Sequence, residues 1–245
     1  MNETVVIVPF ANESDMLMHQ EMKEKHNFLI HHKNEDYFMI FVNDKAWKDT
    51  SKDVIFYEVF GHDNPNCILI HNMEPMSIKG GAIYSGLKFA IGKFPDAKLI
   101  GFTDFDHSLD MDDAFSKIVA SADVYIAIRR DRAPIDKLKH ILFSFFVKML
   151  FPRLSRISDL FACFKFFTPV FINDYLNRKI INDVTPMFEI DILIFALKNG
   201  YKISQYKVNW EDLPGTGRTF KNIVRMFKAV IRKRFLIPRM PVYRF

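Results

Sequence analysis

Short β-branched runs alternate with segments of helical period along most of this chain, and that alternation constrains its fold more than any other feature. Residues 4–8 (TVVIV) form an apolar run ending at Pro9, which predicts a buried strand. Residues 37–42 (YFMIFV), stopped by Asn43-Asp44, predict a second, and further strands are expected over 54–60, 98–103, 123–128 and 202–208. Between them, residues 14–25 are polar and rich in Met without a β-branched residue, which suits a helix. Over 82–94, Ile83, Leu87, Ala90, Ile91 and Phe94 recur at helical spacing. Residues 191–198 are helical in composition and stop at Asn199-Gly200, a C-terminal cap. Strands alternating with helices imply βαβ units, hence one α/β domain with a mostly parallel sheet and helices on both faces.

The 245 residues, 49% of them hydrophobic and 26% charged, are ample for a packed core. Cys67 and Cys163 lie far apart and give neither a disulfide framework nor a metal-ligand spacing, so a reducing compartment is expected. No uncharged apolar run approaches the ~18–20 residues that a membrane-spanning helix requires. The first residues lack the basic and apolar regions of a secretory signal. A cytoplasmic protein is expected, with peripheral contact to the inner membrane face left open.

Charge is distributed unevenly. After Asp212 there is no acidic residue but nine cations, which take the net charge of +5 to −4 for the rest of the chain. A mildly acidic body with a basic tail points to an anionic surface as partner. Two segments are strongly amphipathic. Over 138–150, Leu138, Ile141, Leu142, Phe145, Phe146, Met149 and Leu150 follow a helical stripe, with Lys137, Lys139, Ser144 and Lys148 on the other side. Over 220–231, Phe220, Ile223, Val224, Phe227, Val230 and Ile231 form a stripe beside Lys221, Arg225, Lys228 and Arg232. Such helices either pack on the core or rest on an anionic membrane. Cations sharing a helix with so strong an apolar stripe argue against nucleic acid.

The stretch most informative about chemistry is Gly101-Phe102-Thr103-Asp104-Phe105-Asp106. An apolar strand runs into two carboxylates two residues apart, and in extended backbone residues i and i+2 point the same way. In an open parallel sheet, ligands bind beyond the carboxyl ends of the strands. Two hard oxygen donors there suit Mg2+ or Mn2+, which in turn binds a diphosphate.

In its neighbourhood the chain resembles the family 2 glycosyltransferases of GT-A fold, particularly those that make polyprenyl-phosphate sugars. VVIVPFANESD (5–15) is similar to the family's opening strand and "IPAYNE" turn, and Val42-Asn43-Asp44 to its "VDDGS" turn. Lys79-Gly80-Gly81-Ala82 with Gly86 resembles "KGAA…G", FTDFDHSLDMDDAFSKIV (102–119) resembles "MDADLSHPPE", and ADVYIAIRR (122–130) resembles "ADVVIGSR". DLFACFKFF (159–167), FEIDILIFALKNGYKI (188–203) and VNWEDLPGTGR (208–218) are similar to "DxxxGFKLF", "FDVELLYLARKRGYRI" and "VxWxxRxGSSK". The pieces occur in family order over 5–218, with 219–245 left as a basic amphipathic helix and tail. Departures are Lys45 after Asp44, Cys163 for the glycine of "GFK", Ala127-Ile128-Arg129 for "GSR", and the inverted order of Glu189 and Asp191. Residues 61–76 match no part of the pattern.

The resemblance implies an inverting transferase that takes a sugar from a UDP- or GDP-sugar. Asp104 and Asp106 would hold the metal and, through it, the donor diphosphate, with His107 a further candidate ligand. Pro9, Glu13 and Asp44 would lie at the nucleotide, and Lys79 with Gly80 would bring a cation and bare backbone N–H groups to it. Arg129, Lys165 and Arg218 are candidate phosphate contacts of donor or acceptor. Glu189 and Asp191 are candidates for a general base, which a hydroxyl acceptor needs and an anionic lipid phosphate does not. Asp159 is expected to orient rather than react, and Trp210 to fill core rather than stack on a sugar. The expected acceptor is a polyprenyl phosphate; a glycan or cell-surface hydroxyl is the alternative, and a degenerate, non-catalytic adaptor is a third reading. A sugar-phosphate nucleotidyltransferase would need a glycine-rich loop after the first strand, where this chain has Pro9-Phe10-Ala11-Asn12-Glu13.

Overall fold

The computed structural model describes residues 4–10, 37–44, 65–72, 79–105, 109, 111–118, 121–130, 134–178, 188–210 and 220–236, together with Asp53, Phe56, Tyr57 and Phe60. Seven strands form one sheet: β1 (Thr4–Phe10), β2 (Tyr37–Asn43), β3 (Cys67–His71), β4 (Leu99–Phe102), β5 (Val124–Arg129), β6 (Lys165–Phe167) and β7 (Ile203–Val208). Their order is β3-β2-β1-β4-β6-β5-β7. All neighbours are parallel except β6, which runs antiparallel to both β4 and β5. The described helices are α1 (Lys79–Lys93), α2 (Met111–Ser116), α3 (Pro134–Leu150), α4 (Pro169–Asn177), α5 (Phe188–Lys198) and α6 (Phe220–Leu236).

The period of 2 in the strands sorts their side chains onto two faces. Val5, Ile7, Ile40 and Val42 point to one face and meet Ala82, Ile83 and Leu87 of α1, Phe171 and Ile172 of α4, and most of α5. Val6, Val8, Met39 and Phe41 point to the other, against Phe56, Phe60, Leu109, Met111 and Ala114. Both faces are thus buried, which is why the strands read as continuous apolar runs. The chain's 26 phenylalanines do much of this filling. Phe171 alone meets Phe167 at 5.2 Å, Tyr201 at 4.9 Å and Phe195 at 5.6 Å between ring centroids. A fully buried side chain of this size contributes about 1.5–3 kcal/mol.

Local signals set several boundaries. Thr168 caps α4, its hydroxyl accepting from the Phe171 N–H at 3.4 Å, and Pro169 fits the first helical turn. Gly200 has φ +75° just past α5, the left-handed conformation expected of a helix-ending glycine. Gly101 lets β4 and β6 pair, since a Cβ there would sit 2.3 Å from the Lys165 carbonyl oxygen.

Two expectations need correction. Residues 54–60 are expected as a strand, but the described residues of this stretch, Phe56, Tyr57 and Phe60, are helical, as is Asp53. Phe56 and Phe60 lie one helical turn apart, and both pack on Phe41, with centroids 5.1 Å away in each case. Packing on the sheet outweighs the β propensity of Val54, Ile55 and Val59. The third strand is instead Cys67–His71, inside the stretch that fits no sequence pattern. The short β6 also goes unpredicted, because three residues carry too little periodicity. The helix expected over 14–25 lies outside the described residues.

Candidate active site

The strand order locates a crevice. The chain moves outward from β1 to β2 and β3, then returns to the other side of β1 with β4, so β1 and β4 flank the point where the direction reverses. They pair only as far as Ile7 and Phe102, with one further bond from the Thr103 N–H to the Ile7 carbonyl at 3.1 Å. β1 continues to Phe10 along β2 alone. Pro9 occupies the position whose N–H would face the departed β4, so its lack of a donor costs no ladder bond there. The crevice opens where Asp104 follows β4.

Asp104 is three-quarters buried, and Lys79, the first residue of α1, forms an ion pair with it. The Lys79 ammonium also lies 3.1 Å from the Cys163 sulfur. Burial works to raise the Asp104 pKa, but the Lys79 charge, hydrogen bonds from Cys163 and Lys79, and the Arg129 charge outweigh it. The carboxyl is held below its usual range. Burial alone would lower the Lys79 pKa, yet Asp104, Cys163 and Glu189 raise it, so both partners stay charged. Burial and the neighbouring Asp104 push the Cys163 thiol up to about 11. Gly80 is buried in the first turn of α1, where its backbone N–H belongs to the positive end of the helix.

Glu189 stands in the first turn of α5 and acts electrostatically on Lys79, Cys163 and Lys165. Lys165, on β6 opposite Phe102, is fully buried and donates to the Ala162 carbonyl. Burial holds its pKa below the usual lysine range despite the opposing charge of Glu189. Asp191, two residues beyond Glu189, goes elsewhere: it forms a buried ion pair with Lys233 of α6.

Arg129, at the end of β5, is clamped by Asp159 through two bonds of 2.8 and 2.9 Å. Asp159 also accepts from His140 at 3.0 Å and from the Phe161 N–H at 3.2 Å. Burial opposes its ionisation, but these bonds and the Arg129 charge hold the carboxyl far below the usual range. The guanidinium lies 5.2 Å from the centroid of the Trp210 ring, which is itself packed partly into the core. Asp159 therefore orients Arg129, and Arg129 is committed to this pair rather than projecting freely.

At the ends of β2 and β3 a polar chain surrounds Asp44, whose buried carboxylate accepts from Asn72 at 2.7 Å. Asn72 accepts from Ser85 of α1 at 2.9 Å. Asn43 donates to Asp53 at 2.9 Å, and Asp53 meets His71 at 2.9 Å. None of Asn72, Ser85, Asp53, His71 or His140 stands out in the sequence. Their partners lie 10 to 28 positions away around Asp44, and 19 for His140 with Asp159, without any periodic signal.

Lys79, Asp104, Cys163, Glu189 and Lys165 are thus gathered at one end of the sheet, with Arg129 beside them and Asp44 at the neighbouring strand end. Glu13, Asp106, His107 and Arg218 lie outside the described residues. Among the described residues, no group of three or more His, Cys, Asp or Glu could hold a metal ion. Both cysteines are free and buried. No described helix is long and apolar enough to cross a membrane.

No family model matches the chain. The curated dolichyl-phosphate beta-glucosyltransferase ALG5A of Trichomonas vaginalis is 24% identical over 249 residues, covering 93% of this chain and 71% of that protein. Glucosyl-3-phosphoglycerate synthase from Mycobacterium tuberculosis, solved in complex with Mn2+, UDP and glucosyl-3-phosphoglycerate, aligns over 95% of this chain and 80% of its own. Its TM-score is 0.62 at 11% identity. Mannosyl-3-phosphoglycerate synthase from Rubrobacter xylanophilus aligns over 97% of this chain and 74% of its own, with a TM-score of 0.58 at 14% identity. The chain therefore has the GT-A fold, and its likeness in sequence and architecture is to the family 2 glycosyltransferases.

Proposed function

We propose that this protein transfers a sugar, with inversion, from a nucleotide-diphosphate sugar to an acceptor, and that the donor diphosphate lies in the crevice between β1 and β4. The observation that carries the reading is the position of Asp104, partly exposed at the switch point of the sheet and faced by the α1 N-terminus. The hard carboxylate oxygens of Asp104 fit Mg2+ or Mn2+, with Asp106 as the second ligand two residues on. Such a cation, when bound, supplies the Lewis acid that neutralises charge on the departing nucleoside diphosphate. Lys79 and the first N–H groups of α1 offer further positive potential to the same phosphates. The mycobacterial synthase of similar fold, solved with Mn2+ and uridine-diphosphate-glucose, supports this assignment.

Asp44, with Asn72 beside it, is the contact for the nucleotide base, at the strand ends where Pro9 also lies; Glu13, soon after β1 in sequence, is a further candidate. Glu189 is the base for an acceptor that arrives as a hydroxyl. Arg129, Lys165 and Arg218 supply cationic potential to phosphate, Arg129 through its fixed orientation and Lys165 from within the core. The favoured acceptor is a polyprenyl phosphate, supported by the relative that is a dolichyl-phosphate glucosyltransferase. A hydroxyl of a glycan is the second reading, and it is the one that requires Glu189.

Calorimetry with UDP and GDP, each with and without Mn2+, tests the donor site. Metal-dependent binding that Asp104→Asn abolishes is the expected result. Binding of neither nucleotide under any metal condition overturns the reading and leaves a non-catalytic adaptor ahead. With turnover established, Glu189→Gln separates the acceptors: a loss of about 10²–10⁴-fold in kcat marks a hydroxyl, and little change an anionic phosphate.

A further inference from the structure

The most apolar stripe of α3 faces away from the protein. Leu138, Ile141, Leu142, Phe145 and Met149 are 51–68% exposed, whereas Ser144 and Val147 are buried. The sequence pattern puts Ser144 opposite the apolar stripe, and here it is the Ser144 side that is covered. A helix packed on a core in water directs its apolar side inward. Here the inward side is already occupied by Phe143, Phe146 and Val147, and five large apolar residues remain outside. Contiguous exposed apolar surface of this kind marks a partner.

Helix α6 packs beside α3, with Phe227 at 4.9 Å from Phe143 and 4.7 Å from Phe146. It exposes Val224, Ile231 and Phe235, spaced at i, i+7 and i+11. These alternate around the helix with the exposed cations Lys228, Arg232 and Arg234, and α6 contains no acidic residue. An apolar centre rimmed by cations matches an anionic bilayer surface, where side chains enter the headgroup boundary and cations meet phosphate. A nucleic acid would leave the apolar stripes uncovered. A second copy in an isologous contact would bring the α6 cations against their own kind.

We propose that α3 and α6 together form a docking face for an anionic lipid surface. Leu142, Phe145, Met149, Ile231 and Phe235 enter the boundary region, and Lys228, Arg232 and Arg234 contact the lipid phosphates. The Asp191–Lys233 ion pair ties α6 to α5, whose first turn carries Glu189, so the docked face is fixed to one wall of the crevice. Docking does not depend on the donor chemistry, and its test uses no nucleotide.

The full chain is floated with vesicles of phosphatidylcholine alone and with added phosphatidylglycerol, alongside Leu142→Ser/Phe145→Ser and Lys228→Glu/Arg232→Glu. Wild type is expected to float with the anionic vesicles, roughly tenfold better than with the neutral ones, and to lose this preference at high salt. The serine pair is expected to lose binding by roughly tenfold or more, and the glutamate pair to lose the anionic preference. All the substituted side chains are exposed, so far-UV circular dichroism should match wild type and exclude misfolding. Failure of wild type to float with anionic vesicles at low salt overturns the proposal. So does a solution dimer that the serine pair converts to monomer without changing flotation.

Discussion

Replacing Lys233 with Met should destabilise the protein more than any single surface substitution. The two side chains of the Asp191–Lys233 pair are 4% and 1% exposed, so neither charge has water to fall back on. Two charges at about 4 Å attract by about 4 kcal/mol at the effective dielectric of about 20 that describes even buried sites. Removing one partner of a buried pair costs about 3–5 kcal/mol, because the other is left desolvated. That is a fifth or more of the ~5–15 kcal/mol stability of an ordinary domain, and it corresponds to a Tm lowered by roughly 6–20 °C. Asp191→Asn/Lys233→Met removes both charges and should recover most of the loss, giving a coupling of roughly 2–3 kcal/mol in a double-mutant cycle. Urea unfolding followed by far-UV circular dichroism measures all four corners. A Lys233→Met cost below about 1 kcal/mol, or a double mutant as unstable as the sum of the singles, refutes the buried pair.

Asp159, held far below the usual carboxylate range against the pull of burial by His140 and Arg129, contributes stability that is fully present above about pH 4. That contribution is lost as pH falls through the folded-state pKa, so the gap in unfolding free energy between wild type and Asp159→Asn should narrow below about pH 4. Denaturant titrations from pH 7 down to pH 3 check this. Gly101→Ala places a Cβ 2.3 Å from a backbone carbonyl that cannot step aside, and overpacking of this kind costs about 1–3 kcal/mol. Its Tm should fall by roughly 2–12 °C by calorimetry. Burial pushes the Cys163 and Cys67 thiols up to about 11 and about 12. Neither should react promptly with Ellman's reagent at neutral pH in the native protein, while both should react in denaturant.

The alternation of strand and helix, the mostly parallel sheet and the C-terminal cap of α5 could be read from the sequence because each rests on local periodicity or on one punctuating residue. Gly200 is the plainest case. The helical state of Phe56 and Phe60 could not be read, because it depends on Phe41, which lies on a strand far away in sequence. The outward turn of α3 was also hidden. Periodicity identifies a stripe but not its direction, and when both sides of a helix are apolar the packing partner Phe227 decides which side is covered. Within the site, Asp104 stood out because a charge at a strand end is legible, whereas Lys79 and Glu189 stood out only through the resemblance to a known family. The clamp of Asp159 on Arg129 spans 30 positions, and its His140 arm had no signal at all.

The two pairs of acids show why equal spacing does not carry equal meaning. Asp104 and Asp106 are two apart next to a strand, where extended backbone would send both side chains to one side. Glu189 and Asp191 are also two apart, but on a helix, where two residues turn the chain by about 200°. They cannot share a site. One must face the crevice and the other the opposite side, and it is Asp191 that meets Lys233 while Glu189 acts on Lys79 and Lys165. The helical spacing alone excludes a joint catalytic role; only the packing of α6 says which acid is withdrawn. Glu189→Gln and Asp191→Asn should therefore separate cleanly. The first should lower turnover only where the acceptor is a hydroxyl, and should leave urea unfolding within about 0.5 kcal/mol of wild type. The second should lower stability by about 3 kcal/mol or more through the stranded Lys233, while the folded fraction keeps its nucleotide affinity. Equal effects of the two substitutions on unfolding free energy would refute this division.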